Sequence, residues 1–168
     1  LYQVDAFTDT LFTGNPAAVC LLNAWLPDET MQAIAFENNL SETAFVVGEK
    51  GHYDLRWFTP TYEINFCGHA TLSAAYVIFN YVELLLEQIT FTTKKGTLTA
   101  KRVDQGVELK LPALPATPCA VPDYFEKGLG ILPAAVYRAD QYLIVLDSAK
   151  TLRNLQLDVG AFVALDTR

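Results

Sequence analysis

Apolar residues alternate with polar ones, or cluster in short runs, along most of the chain, and that pattern predicts its elements. Tyr2 to Phe7 reads as a strand, and the turn Thr13-Gly14-Asn15-Pro16 leads into a second, apolar strand over Ala17 to Leu22. A helix is expected from about Pro27 to Asn38. Pro27 suits its first turn, Asp28 and Glu29 complement the positive end of its dipole, and Met31, Ile34 and Ala35 form one apolar stripe. Thr43 to Val47 and Tyr53 to Phe58 are strands, the second with Tyr53, Leu55 and Trp57 set against Asp54, Arg56 and Phe58. Ala70 to Phe79 carries no charge and is apolar or small nearly all round, which predicts a helix buried on every side. Gln88 to Thr93, Gly96 to Val103 and Val107 to Leu111 read as a meander, with turns at Lys94-Lys95-Gly96 and Asp104-Gln105-Gly106. Strands flanking one enclosed helix predict an α+β fold, a sheet curled around a buried central helix.

Pro112, Pro115, Pro118 and Pro122 crowd one short stretch and mark the domain boundary. The expected organisation is a lobe over residues 1–112 with its central helix at 70–79, a proline-rich linker at 113–122, and a second lobe over 123–168. Beyond the prolines only a short helix near Tyr124 to Leu129, a strand over Tyr142 to Leu146 and a helical tail are legible. The second lobe therefore reads as incomplete.

Composition narrows the function classes. With 168 residues, about half of them hydrophobic, the chain needs neither disulfides nor metals to build a core. Twelve Lys and Arg against 19 Asp and Glu give a net charge of −7, a surface that repels phosphate backbones, so nucleic acid is not an expected partner. No run is long enough to span a bilayer, and a membrane partner is not expected either. Three cysteines, Cys20, Cys67 and Cys119, without paired spacing, suit a reducing cytoplasm. Two histidines and no Cys-x-x-Cys make a structural zinc site unexpected.

Two junctions could carry chemistry. Cys67-Gly68-His69-Ala70-Thr71 stands where an extended run enters the buried helix. The first N–H groups of a helix lack internal partners, Gly68 permits close approach to them, and His69 adds a directed donor, so a carboxylate or a developing enolate would fit. A tight turn with a core histidine explains the same residues. Glu42, in Asn39-Leu40-Ser41-Glu42-Thr43-Ala44-Phe45, sits between a helix and an apolar strand. Apolar walls there would raise its pKa and suit it to exchange a proton with carbon; a solvated glutamate at a strand edge is the plainer explanation. Cys67 reads either as a thiolate base activated by the helix terminus or as a small buried hydrophobe.

Taken in order, these blocks resemble one family. Val4-Asp5-Ala6-Phe7 with Phe12-Thr13-Gly14-Asn15-Pro16-Ala17-Ala18-Val19, then the Ser41-Glu42-Thr43 block, then Arg56-Trp57-Phe58-Thr59-Pro60, Glu63 and Phe66-Cys67-Gly68-His69-Ala70-Thr71, are similar to the PhzF family of phenazine-biosynthesis-like isomerases. Phe91-Thr92-Thr93 with Gly96-Thr97-Leu98 is a weaker fourth block. The resemblance implies a diaminopimelate epimerase-like fold: two similar lobes, here one complete and one partial, each curling a sheet around a helix, with an active site between them that uses no metal and no cofactor. It implies Glu42 as the proton-transferring acid/base and Ser41, Gly68 and His69 as substrate-site residues, acting on a small carboxylate-bearing molecule in the cytoplasm. Racemase relatives use a cysteine pair, one member standing where Cys67 stands.

Two rival functions remain at this point, a cysteine-based racemase centred on Cys67 and a non-catalytic binding protein that keeps the fold. The Asp-Pro-x-Thr-Gly-Ser-like block that closes the family pattern has no match after Asp147-Ser148, and the chain opens at Leu1. The expectation is therefore a truncated member, inactive alone, with Glu42 open to water and an uncovered apolar wall that favours a homodimer or swapped elements.

Overall fold

A computed structural model describes residues 1–104 and 106–162. Gln105 of the expected Asp104-Gln105-Gly106 turn and the last residues of the second lobe, 163–168, lie outside the described residues. The chain divides into two compact units, Leu1–Pro112 and Ala113–Arg168.

The first unit holds β1 (Tyr2–Ala6), β2 (Asn15–Leu22), α1 (Asp28–Asn38), β3 (Glu42–Glu49), β4 (His52–Phe58), the two-residue β5 (Glu63–Ile64), α2 (Gly68–Val77), β6 (Gln88–Thr93), β7 (Gly96–Val103) and β8 (Gly106–Lys110). They form one sheet in the order β1-β2-β3-β4-β6-β7-β8, with β5 paired to β4. Two neighbouring pairs are parallel, β2 with β3 and β4 with β6, so each needs a crossover: α1 makes the first and α2 the second. Because β3 and β4 are antiparallel, the two crossovers leave from strands of opposite direction while stepping the same way along the sheet. The right-handed rule then sends the helices to opposite faces.

Packing agrees. Ala17 and Val19 of β2, Ala44 and Val46 of β3, and Tyr53, Leu55 and Trp57 of β4 pack on one face around Ala70, Ala74, Ala75 and Val77 of α2. Cys20, Phe45 and Phe58 point the other way, onto Met31 and Ala35 of α1. Strands covered on both faces lose the polar half of their alternation, which explains the unbroken apolar run of β2.

The fold is the expected α+β architecture of the diaminopimelate epimerase type, a curled sheet around a buried helix. Several local expectations change. Asn15 and Pro16, read as a turn, pair with Ala6 and Asp5; the β2–β3 ladder begins only at Ala17 and Glu42, so the missing N–H of Pro16 breaks nothing there. β4 begins at His52, one residue before the expected Tyr53. The central helix runs from Gly68 to Val77 and then widens into a π-helical turn over Ile78–Val82. Arg102 packs against that turn: its guanidinium donates to the Phe79 carbonyl at 2.6 Å and lies over the Phe79 ring, 4.9 Å from its centroid. Nor is α2 enclosed on every side, because Tyr76 remains 42% exposed.

The second unit contains β9 (Thr117–Pro118), α3 (Asp123–Leu129), β10 (Ala135–Arg138), β11 (Tyr142–Val145) and α4 (Ala149–Asn154). Its three strands form an antiparallel sheet ordered β11-β10-β9, where one strand had been legible. Its small core gathers around Phe125, Leu129 and Val136. Among the described residues no helix is long and apolar enough to cross a membrane.

Candidate active site

Strand parity aims Glu42. It shares a face with Ala44 and Val46, the face that packs on α2, while Thr43 and Phe45 face the other way. Asn39 ends α1 in the left-handed region at φ 50°, and the Asn38 side-chain amide donates to the buried Thr43 hydroxyl at 3.0 Å. The left-handed residue and this hydrogen bond flank the start of β3, where Glu42 takes the first position of the strand.

The opposite wall is the first turn of α2. Cys67 caps the helix in extended conformation, and the Thr71 hydroxyl, four residues on, donates to the Cys67 carbonyl at 2.5 Å, holding the entry turn rigid. His69 stands between the two walls. Its Nε2 lies 3.3 Å from Glu42 Oε2 and 3.4 Å from Ser41 Oγ, and its Nδ1 lies 3.4 Å from Cys67 Sγ. The structure thus brings Ser41, Glu42, Cys67, Gly68 and His69 to one place.

Glu42 is not open to water, contrary to expectation. Its side chain is 17% exposed and that of His69, beside it, 11%. The His69–Glu42 approach is close but out of line for a hydrogen bond, so Glu42 Oε2 is buried with no hydrogen-bond partner among the described residues. One lone-pair-bearing oxygen is therefore left for an incoming group.

Cys67 is buried and behaves unlike an activated thiol. Loss of solvation pushes its thiol up to about 12, and the negative charge of Glu42 pushes the same way. The backbone N–H groups of Ala70 and His69 pull it down, but less. The helix-terminus effect that favoured a thiolate is present and loses to burial. One ligand atom each from Glu42, Cys67 and His69 lies within 4.8 Å of the others, so among the described residues these three side chains could together hold a metal.

Arg56 and Glu63, noted in the sequence without a role, form a brace. Arg56 Nε and one terminal nitrogen each donate to the Glu63 carboxylate at 2.8 Å, its other terminal nitrogen reaches Asp28 of α1 at 2.8 Å, and Lys94 adds a contact to Glu63 at 2.6 Å. The Arg56 guanidinium holds the Glu63 carboxyl below the usual range. This network ties α1, β4, β5 and the β6–β7 turn together on the face away from Glu42. A groove of about 1020 Å³ also opens along β1, the Leu72, Ser73 and Tyr76 side of α2 and the start of β8, but none of the five candidate residues lines it.

Comparison with known proteins places the chain in a family. Residues 4–167 match the family described as phenazine biosynthesis-like protein. An uncharacterized isomerase of Pseudomonas aeruginosa is 48% identical over 168 residues, covering all of this chain and 65% of the relative. The crystal structure of a PhzF family protein of Enterococcus faecalis superposes with a TM-score of 0.90 at 42% identity, over 99% of this chain and 64% of the other. A Pseudomonas aeruginosa protein described as a predicted epimerase, at 22% identity and a TM-score of 0.69 over 93% of this chain and 62% of the other, shares the fold. The chain thus spans less than two thirds of the proteins it matches. With the blocks around Glu42 and His69 gathered at one site of this fold, the chain belongs to the PhzF family of phenazine biosynthesis-like proteins.

Proposed function

We propose that the protein is an isomerase that moves a proton on a small carboxylate-bearing substrate, with Glu42 as the acid/base. The observation that carries this reading is the buried Glu42 Oε2, which has the His69 imidazole at 3.3 Å and no hydrogen bond of its own among the described residues. A carboxylate oxygen in that state accepts a proton from carbon without first breaking a protein contact. As the proton arrives, negative charge develops on the substrate. His69 and the first turn of α2 are the groups at hand to stabilise it, and Gly68 leaves the backbone approachable. Return of the proton from Glu42 to a different carbon, or to the other face of the same one, completes an isomerisation without any cofactor. The isomerase name borne by the Pseudomonas relative supports the reaction class. A thiol held near 12 argues against Cys67 as the base at neutral pH.

The test is exchange of substrate C–H for deuterium by the whole protein, followed by NMR over a panel of small carboxylates. Glu42→Gln keeps the shape and removes the base. Exchange is expected to fall by at least about 100-fold, the low end for loss of a general base, with folding unchanged. Exchange that survives in Glu42→Gln and vanishes in Cys67→Ser would transfer the role to the thiol.

A further inference from the structure

We propose that Glu42, Cys67 and His69 form a binding site for a single divalent cation of the zinc type. The donor set selects the ion. Calcium and magnesium take oxygen ligands, whereas a thiolate, an imidazole and a carboxylate together suit a borderline-soft cation such as Zn²⁺. Their number matches too, since three protein ligands and one open position make an exchangeable rather than a structural zinc site.

Geometry supports it. The three ligand atoms already lie within 4.8 Å of one another, and Glu42 Oε2 is buried with no hydrogen bond to give up. Glu42 faces Nε2 of His69 and Cys67 faces its Nδ1, so tetrahedral bonds of about 2.0 to 2.3 Å to one ion require the imidazole to turn about its side-chain bonds until a single nitrogen meets both partners. Charge balances as well: the thiol proton leaves to solvent as the metal–sulfur bond forms, and one thiolate plus one carboxylate neutralise the dication. No uncompensated charge is then buried.

The sequence hides this site because Glu42 lies far along the chain from Cys67 and His69, and no metal-binding spacing exists among them. The parallel β2–β3 register and the placement of α2 inside the sheet create the cluster. Occupation withdraws Glu42 from proton transfer, so the cation acts as an inhibitor; this consequence, unlike the binding itself, rests on the function proposed above.

Cobalt(II) is the probe. Titrating it into the chain should give one saturable site with a thiolate-to-cobalt charge-transfer band and the strong visible bands of four-coordination, both abolished by added Zn²⁺ and untouched by Mg²⁺. Cys67→Ser should remove the charge-transfer band. Glu42→Gln and His69→Ala should each weaken binding by more than the roughly 10- to 100-fold that loss of an outer-shell partner costs, while Cys20→Ser and Cys119→Ser leave it unchanged. Absence of saturable cobalt binding overturns the proposal, as does a band retained in Cys67→Ser or an affinity indifferent to both Glu42→Gln and His69→Ala. The isosteric Glu42→Gln keeps the test decisive should Cys67→Ser fail to fold. Cobalt bound at these residues with C–H exchange unaffected by Zn²⁺ would uphold the site and count against Glu42 as the base. Exchange lost in Glu42→Gln with no cobalt bound would do the reverse.

Discussion

Gly68 separates what the fold requires from what a ligand requires. A Cβ built there would meet only Leu111 Cδ1, at 3.9 Å, so packing within the chain does not demand glycine. Gly68→Ala should leave thermal stability within a few degrees of the parent while lowering C–H exchange by the whole protein, roughly 100-fold if the methyl displaces substrate by 1 Å. Unchanged exchange would mean that no ligand approaches this backbone. Arg56 answers to the fold instead. Because it depresses the Glu63 carboxyl, the pair adds stability that is present above the unfolded glutamate value, about 4.3, and is lost as pH falls through the lower folded value. Arg56→Met should therefore unfold at lower temperature near neutrality and show a flatter decline below about pH 4.3. Parallel melting curves from pH 7 to 3 would remove the brace from the stability argument. The residues that the structure brings together as a candidate site were singled out from the Ser-Glu-Thr and Cys-Gly-His-Ala-Thr blocks. Their contacts were not, because no spacing reveals that His69 ends up between Glu42 and Cys67.

At the scale of elements, α2 makes the sharpest contrast. Ala75 is fully buried and its neighbour Tyr76 is 42% exposed. Ala75→Glu would bury a carboxylate with no partner, at a cost of several kcal/mol, and is expected to unfold the first unit, whereas Tyr76→Glu should be tolerated. Circular dichroism and denaturant melts of the two variants check this, and a cooperative Ala75→Glu protein with the parent's midpoint would place α2 outside the core. Periodicity revealed the long strands, since Tyr53, Leu55 and Trp57 alternate cleanly on β4. It missed β5, β9 and β10 for a physical reason. Two residues cannot express a period, Pro118 argues against a strand except at an edge, and Ala135–Arg138, with alanine at one end and arginine at the other, lacks the unbroken apolar run that made Tyr142–Val145 visible. The π-helical turn was equally invisible, and the Arg102 that packs on it comes from β7, distant in sequence.

The whole molecule is two units of unequal core. The first packs a sheet on both faces, and the second gathers few buried side chains, chiefly Phe125, Leu129 and Val136. Native-state hydrogen exchange should therefore show β3, β4 and α2 protected to the limit set by complete unfolding of the first unit, with β10 and β11 exchanging sooner. Equal protection in both units would show that the second is stabilised by more than its own core. That inequality had a trace in the sequence, where apolar pattern is dense before Pro112 and thin after it.

A helix that is also a crossover imposes an order on synthesis. The ribosome delivers Gly68–Val77 before β6, β7 and β8, so a nearly charge-free helix exists for a time without the strands that cover one side of it. Ten such residues are too few to persist as an isolated helix in water, and their apolar surface is what nascent-chain holdases recognise. Residues 68–77 are thus both the centre of the finished lobe and the segment most exposed to misassembly while the chain is being made.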